Sequence, residues 1–324
     1  MSSAGDIVLE AHTEAGLSQA RLAERRGTQA EGEGTRLLQL SEAQHAIVTS
    51  LVERLAGIRG VVAVVLGGSH ARGRALPGSD VDLGLLYAEA DPFSISEVRE
   101  LAAAVDDTGA PVVTDFFGWG RWVNGGSWLT IRGQRVDLLY RSLDQLERVI
   151  ADCEAGRYEV DYAQHPPFGF FSGTYLGEVA VAVPLHDPTS RFAALQRRVA
   201  IYPEALRAEI VRHHLDAAEF GLDAFARKFA ARSDSYGTAA CLTRAVNQLV
   251  MVLFALNRRY PVNDKTVLAE IAEMARAPRD FGPRVQATLA DLGSTPARLL
   301  EAVERVTGLL HETVDLVDGA NTPS

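Results

Sequence analysis

The sequence predicts a mixed α/β (α+β) unit followed by an α-helical domain. Up to about residue 190, short apolar runs bounded by glycine alternate with segments of helical periodicity. Beyond Arg191 the apolar residues recur at helical spacing only. The chain has 324 residues, about twice the length of a typical ~150-residue domain, so we expect two folded units.

The first unit opens with a helix from Ser41 to Leu55, because apolar residues recur at helical spacing and Ser41 can cap its start. Short β-branched or alternating runs indicate strands, and a serine before an apolar periodic segment indicates a helix start. The remaining elements are predicted in this order: strands Val61–Leu66 and Val81–Tyr87, a helix over Ser96–Val105, strands Val112–Phe117, Trp128–Ile131 and Arg135–Tyr140, a helix from Ser142 to Glu154, and a strand over Glu178–Leu185.

The second unit, residues 191–324, is predicted to contain only helices. Within Gly237–Arg259, apolar residues form one strip at helical spacing: Leu242, Ala245, Leu249, Leu253 and Leu256. The other periodic segments are Glu204–Arg232, Thr266–Ala277 and Ala297–Val317.

Composition and cysteine usage exclude several classes of protein. A content of 47% hydrophobic and 23% charged residues is typical of a globular chain and not of a disordered one or a coiled-coil rod. The net charge of −10 makes nucleic acid an unexpected partner. Two cysteines, Cys153 and Cys241, cannot form a disulfide framework or a thiolate zinc site.

The N-terminal segment shows no targeting signal. Asp6, Glu10 and Glu14 interrupt it, and we find no run of the ~20 apolar residues that cross a membrane. We therefore expect a cytoplasmic protein without a membrane partner.

A separate N-terminal arm is predicted over residues 1–44, because Gln29–Gly34 is a polar, glycine-rich boundary. Gly16–Gly27 resembles the opening helices of Cro/C1-type helix-turn-helix domains, and the resemblance stops there. Thr28–Thr35 supplies no recognition helix. We interpret the arm as vestigial, with a functional DNA reader as the alternative. The catalytic domain is then predicted over residues 45–190.

Two aspartates two positions apart dominate the chemistry of the first unit. Asp80 and Asp82 point to one face of the predicted strand, while Val81 and Leu83 point to the other. Two carboxylates at this distance favour a divalent cation, and an oxygen-only ligand set favours Mg²⁺ over zinc. Upstream, Gly67, Gly68 and Ser69 follow a strand and indicate a tight turn that brings amides and a hydroxyl towards an anion.

This ordered pattern, a hydrophobic strand, Gly-Gly-Ser, a loop and Asp-Val-Asp-Leu, resembles the polymerase-β-like nucleotidyltransferase superfamily. The resemblance covers about Val61–Tyr140 and implies a third acid, Asp137, in Arg135-Val136-Asp137-Leu138. It implies that Asp80, Asp82 and Asp137 are catalytic residues that hold two Mg²⁺ ions, and that an NTP is the substrate. The helical C-terminal half resembles that of aminoglycoside and other small-molecule nucleotidyltransferases.

The resemblance implies transfer of a nucleoside monophosphate to a hydroxyl of a small molecule, an aminoglycoside or lincosamide antibiotic among the candidates, with release of pyrophosphate. Two alternatives stay open. One is transfer to tRNA or protein, as in toxin–antitoxin nucleotidyltransferases, and the other is a non-catalytic NTP-sensing regulator. The oligomeric state is not indicated by the sequence.

Several residues outside the motif remain candidates. Related enzymes often supply a lysine near the position of Lys265, which we take as an NTP-binding residue, with a solvated surface lysine as the alternative. Arg72 and Arg74 are either phosphate contacts or exposed loop residues. The tryptophans of the glycine-rich loop either line a ligand pocket or pack across strands: Trp119, Trp122 and Trp128.

Overall fold

The computed structural model describes residues 40–165 and 168–321. Within these ranges the chain folds into a mixed sheet with helices, followed by a helical region, as predicted. The helix-turn-helix-like stretch lies outside the described residues.

The strands are β1 Val61–Leu66, β2 Val81–Tyr87, β3 Val112–Val113, β4 Gly126–Ile131, β5 Gln134–Ser142, β6 Val160–Asp161, β7 Phe170–Phe171 and β8 Val183–His186. Six of them form the main sheet, in the spatial order β3-β4-β5-β2-β1-β8. Strands β2 and β5 are parallel, and the other neighbouring pairs in this sheet are antiparallel. Strands β6 and β7 form a separate two-stranded ladder.

Serine caps set the start of three helices that flank the sheet. Ser41 forms a capping box with Gln44, and Ser94 and Ser142 each accept a hydrogen bond from a backbone amide of the first turn. The helices in this half are α1 Glu42–Ala56, α2 Gly68–Ala71, α3 Ile95–Val105, α4 Leu143–Glu154 and α5 Thr174–Val181.

The central strands bury a different core on each face. Leu83 and Leu138 belong to the core beneath α1 and α3, whereas Leu86 belongs to the core formed with α4 and α5. Because side chains alternate along a strand, Asp82 and Leu86 share one face. The acids therefore lie on the face that the helical half of the chain covers.

Two predicted strands are wrong in part. The segment Glu178–Leu185 contains the end of α5 and then β8, because Tyr175, Leu176 and Val179 are buried together at helical spacing. Pro184 is tolerated in β8 because this strand is at the edge of the sheet. Of the predicted strand Val112–Phe117 only β3 forms, and Phe117 has a φ of 60°, which no strand residue adopts.

The helices of the helical region are α6 Arg191–Val199, α7 Glu204–Phe220 with a π-helical turn at Gly221–Ala226, α8 Arg227–Ala231, α9 Ser235–Leu256, α10 Val267–Ala272, α11 Phe281–Ala290 and α12 Pro296–Asn321. The region is built around α9, whose predicted strip of apolar residues is buried throughout. The predicted segment Thr266–Ala277 is helical only over α10, and α6 and α11 were not predicted.

Helix α9 is long and apolar enough to cross a membrane by length and composition alone. In its most apolar window, 61% is buried inside the protein. The apolar character of α9 is thus explained by its position in the core.

Candidate active site

The site begins with two aspartates on neighbouring parallel strands. Asp82 of β2 and Asp137 of β5 are register partners, directly opposite each other in the ladder. Asp80 precedes β2 by one position and lies on the same side as Asp82. The three acids predicted from the sequence are therefore brought to one region of the sheet, and all three line a single cavity of about 580 Å³.

The Gly-Gly-Ser segment packs directly against one of these carboxylates. The Gly67 amide donates to the Asp82 carbonyl at 2.8 Å, and Gly68 has a left-handed φ of 59°. A Cβ atom at Gly68 would lie 1.7 Å from Asp82 Oδ2. Only glycine fits this position, and its backbone fixes where the carboxylate lies. The segment forms the start of α2 rather than an open turn.

Burial of Asp82 and Asp137 makes ionisation of both carboxyl groups unfavourable. Burial, the Asp137 carboxylate and the Asp80 carboxylate raise the pKa of Asp82 to about 6, against an opposing effect of Lys265. Burial and Asp80 also raise the pKa of Asp137, opposed by Arg135 and Lys265. Negative charge is thus concentrated here without full compensation by the protein.

Asp80 is already paired. Its Oδ1 lies 2.6 Å from Nε of Arg135, which is two positions before Asp137 on β5. Within residues 40–165 and 168–321, no three His, Cys, Asp or Glu side chains converge as a preformed metal cluster. The Asp82 and Asp137 pair still fits Mg²⁺, which is commonly held by one or two carboxylates together with substrate phosphates and water.

Lys265 reaches this cavity from the segment that precedes α10. It lies close enough to lower the pKa of both Asp82 and Asp137. Its ammonium has no hydrogen-bond or ion-pair partner among the described residues. Lys265 was selected from the sequence as an NTP-binding residue, and the chain has only one other lysine, Lys228.

Arg72 and Arg74 also line the cavity, but both are engaged by acids of the helical region. Arg72 pairs with the buried Glu270, and Arg74 pairs with the exposed Glu273. Glu270 also accepts a hydrogen bond from Thr266 Oγ1 at 2.6 Å. These arginines therefore connect the Gly-Gly-Ser segment to α10, a role that the sequence did not indicate.

A second cavity of about 530 Å³ adjoins the first. The two share Arg141 and Glu178, which form a two-point ion pair with distances of 2.8 and 3.0 Å. Arg141 lies four residues after Asp137 on β5, about 13 Å along the strand. Neither Arg141 nor Glu178 was identified as a site residue from the sequence. Glu178 was placed on a predicted strand.

The three tryptophans serve packing rather than the cavities. Trp119 and Trp128 stack with ring centroids 4.9 Å apart, and Trp122 is buried against Phe170 and Tyr175. Of the described residues that line either cavity, none is a tryptophan.

Comparisons with known proteins agree with this geometry. Residues 47–151 match the family model described as a nucleotidyltransferase domain, and residues 171–265 match a domain of unknown function, DUF4037. The second match crosses the boundary predicted at residue 190. No curated protein matches the chain significantly.

Among solved structures, the chain is similar to a nucleotidyltransferase-like protein from Exiguobacterium sibiricum 255-15. The identity is 12% and the TM-score 0.41, over 86% of this chain and 77% of the other. The family match begins within α1 and includes the Gly-Gly-Ser segment and all three acids. Residues 47–151 of this chain therefore form a nucleotidyltransferase domain.

Proposed function

We propose that this protein is a cytoplasmic, Mg²⁺-dependent enzyme that transfers a nucleoside monophosphate from an NTP to a hydroxyl of a small molecule and releases pyrophosphate. The observation that carries the proposal is the register pairing of Asp82 with Asp137 beneath Gly68, with Lys265 in the same cavity. We assign the acids to a catalytic domain over residues 45–190 and Lys265 to a helical domain over residues 191–324 that completes the cleft.

Asp82 and Asp137 are the residues that would hold Mg²⁺, and Asp80 would join them on leaving Arg135. When bound, two such ions neutralise the triphosphate and favour attack of the acceptor hydroxyl on the α-phosphorus. The raised pKa of both aspartates reflects the same uncompensated negative charge that a divalent cation would relieve.

Side chains and backbone amides of the protein carry out proton transfer and pyrophosphate binding. Asp137 accepts the proton of the acceptor hydroxyl, and burial and the Asp80 carboxylate make it a stronger base by raising its pKa above the ordinary value. The Gly68 and Ser69 amides, the Ser69 hydroxyl and the Lys265 ammonium bind the departing pyrophosphate. Because Gly68 carries no side chain, the phosphates can approach its backbone closely.

The second cavity supports a small-molecule acceptor. It adjoins the acid cavity at Arg141 and Glu178, and its volume falls in the range of sites that enclose drug-sized ligands, about 300–1,000 Å³. A molecule held there would present a hydroxyl towards the acids across the shared wall. The net charge of −10 argues against a nucleic acid acceptor.

The test is mass spectrometry of a cell extract and an antibiotic panel incubated with Mg²⁺, mixed NTPs and the purified protein. We expect a small molecule to gain the mass of one nucleoside monophosphate with the wild type and not with Asp82→Asn. Labelling confined to tRNA or protein would instead support the macromolecular alternative. Binding of Mg·NTP without any pyrophosphate release would support the regulator.

A further inference from the structure

We propose that the second cavity binds the acceptor and that this acceptor is an uncharged, ring-containing hydroxyl compound rather than a polycation. The inference rests on the proposed function and adds the chemical class of the second substrate. It is carried by the charge balance, the polar side chains and the apolar walls of this cavity.

Each carboxylate among the described lining residues of the second cavity already lies against a basic side chain. Among the described lining residues, Glu178 is paired with Arg141, and Asp264 Oδ2 lies 3.6 Å from Nδ1 of His165. The nearby Asp264 carboxylate raises the pKa of His165. A polycation entering this cavity would lose hydration without gaining an unpaired carboxylate, which is unfavourable.

Among the described residues that line this cavity, none forms a strong anion-binding site either. Arg244 is the remaining cation of the lining, and it lies exposed at the rim with its Cζ atom 5.1 Å from the ring centroid of Tyr162. An exposed guanidinium over an aromatic ring contributes little to anion binding because solvent screens it. We therefore expect the cavity to bind neither cations nor anions strongly.

Helix α9 presents uncharged polar side chains to the cavity. Thr243 and Asn247 lie one turn apart on the helix, Gln248 directly follows Asn247, and all three line the cavity. The Asn247 side chain is half-buried and makes no hydrogen bond to another described residue. It is thus free to donate to, and accept from, a hydroxyl or amide of a ligand.

The cavity lining also contains a buried, neutral histidine with one ring nitrogen that makes no hydrogen bond to a described residue. His214 is 5% exposed, its Nδ1 hydrogen-bonds to Gln248 Oε1, and its Nε2 has no partner within the described chain. Since Gln248 Oε1 is an acceptor, Nδ1 carries the proton and Nε2 is left as an acceptor. Burial lowers the pKa of His214 to about 4, so the ring adds no charge to the cavity at neutral pH.

The rest of the lining includes large apolar side chains. Phe170 and Phe171 of β7 and Val250 and Met251 of α9 all line the cavity. Aromatic and thioether side chains of this kind pack against the face of a ring. Apolar side chains together with uncharged hydrogen-bonding groups fit a neutral ring compound that carries hydroxyl or amide groups.

The test is a ligand-observed NMR screen of the full chain against hydroxyl-bearing ring compounds in neutral, cationic and anionic sets. An aminoglycoside and its fully N-acetylated form give a pair that differs in charge. Each hit is titrated against wild type, Asn247→Leu, Asp82→Asn and Gln286→Leu. Gln286 is an exposed amide on α11, outside both cavities, and controls for the loss of an amide.

We expect the hits to be mainly neutral and to bind about fivefold more weakly to Asn247→Leu, as for one lost hydrogen bond, but equally to the other two variants. A set of Asn247-dependent hits that is mainly cationic would overturn the proposal, as would the lack of any neutral hit that depends on Asn247. If neutral hits bind as expected but wild type never transfers a nucleotide to them, the ligand class is upheld and the proposed transfer fails.

Discussion

Asp82 and Asp137 lie directly opposite each other in the parallel ladder of β2 and β5, on the face of the sheet that the helical half covers. Cross-strand neighbours in a sheet have Cβ atoms about 5 Å apart. Like charges at this separation repel, and burial prevents water from screening them. The protein therefore maintains a pair of carboxylates that destabilises its own folded state in the absence of a bound cation.

We expect Asp82→Asn to stabilise the metal-free protein at pH 7.5 while removing turnover. The pKa of Asp82 is about 6 in the folded protein and 3.8 ordinarily, so the folded state binds more protons between these values. Stability consequently falls as pH rises through that window, and the full loss is present above it. Removing the charge should recover about 1–3 kcal/mol.

Thermal unfolding of both proteins at pH 3.5 and pH 7.5 without divalent cations checks this expectation. The variant should have the higher Tm at pH 7.5, and the difference should vanish at pH 3.5. Asp315→Asn is the control, because Asp315 is an exposed aspartate of α12. Equal Tm values for wild type and Asp82→Asn at pH 7.5 would contradict the prediction.

The contact between Gly68 and Asp82 predicts that Gly68→Ala lowers kcat by moving the Asp82 carboxylate. The new Cβ would lie 1.7 Å from Asp82 Oδ2, so the carboxylate must move. A displacement of about 1 Å is expected to lower kcat about 100-fold. Steady-state pyrophosphate release would measure it.

Gly78→Ala is the matched control. Gly78 has a φ of 83°, and a Cβ there would meet nothing within 4 Å. Both substitutions therefore carry the conformational cost of a positive φ, roughly 1–2 kcal/mol, and only Gly68→Ala moves a carboxylate. Similar losses of kcat in the two variants would show that backbone strain, not the position of Asp82, causes the effect.

The local parts of this site were predictable because each depends on neighbours in the sequence. β1 and β2 have the predicted bounds, since glycines and turn residues limit them, and α4 ends where predicted after the cap at Ser142. Asp80 and Asp82 were placed on one face by strand alternation alone. Asp137 was identified only through the family resemblance.

The rest depends on contacts between distant segments. No sequence spacing shows that β5 lies beside β2 in the register that pairs Asp137 with Asp82. The pairing of Arg72 with Glu270 joins residues 198 positions apart, and the second cavity combines loops and helices from both halves. Glu178 was misplaced because a short apolar run fits a strand as well as a buried helix.

Lys265 is expected to bind the phosphates of the NTP. Lys265→Met removes a charged contact worth about 1.5–3 kcal/mol, so KM for the NTP should rise about 10- to 100-fold. Lys228→Met is the control, because Lys228 lies over the ring of the exposed Phe225, on the π-helical turn. Amine-selective labelling followed by mass spectrometry provides an independent measurement, since Mg·NTP should protect Lys265 and leave Lys228 reactive. Equal protection of both lysines would contradict the assignment.

The ion pairs that connect α10 to the Gly-Gly-Ser segment differ in burial, and this difference predicts a contrast between Glu270→Gln and Glu273→Gln. The Glu270 and Arg72 side chains are 4% and 9% exposed, whereas those of Glu273 and Arg74 are 53% and 35% exposed. Glu270→Gln leaves Arg72 buried without its counter-charge, which is expected to cost about 3–5 kcal/mol. Glu273→Gln should cost about 1 kcal/mol or less.

Denaturant unfolding measures the loss in free energy of unfolding for each variant, and KM for the NTP measures the effect on the site. Because Glu270 also binds Thr266, the neighbour of Lys265, its loss should let Lys265 and the Gly-Gly-Ser segment move apart. KM should therefore rise in Glu270→Gln and stay close to the wild-type value in Glu273→Gln. A Glu270→Gln protein as stable as the wild type would show that this buried pair does not hold α10 against the Gly-Gly-Ser segment.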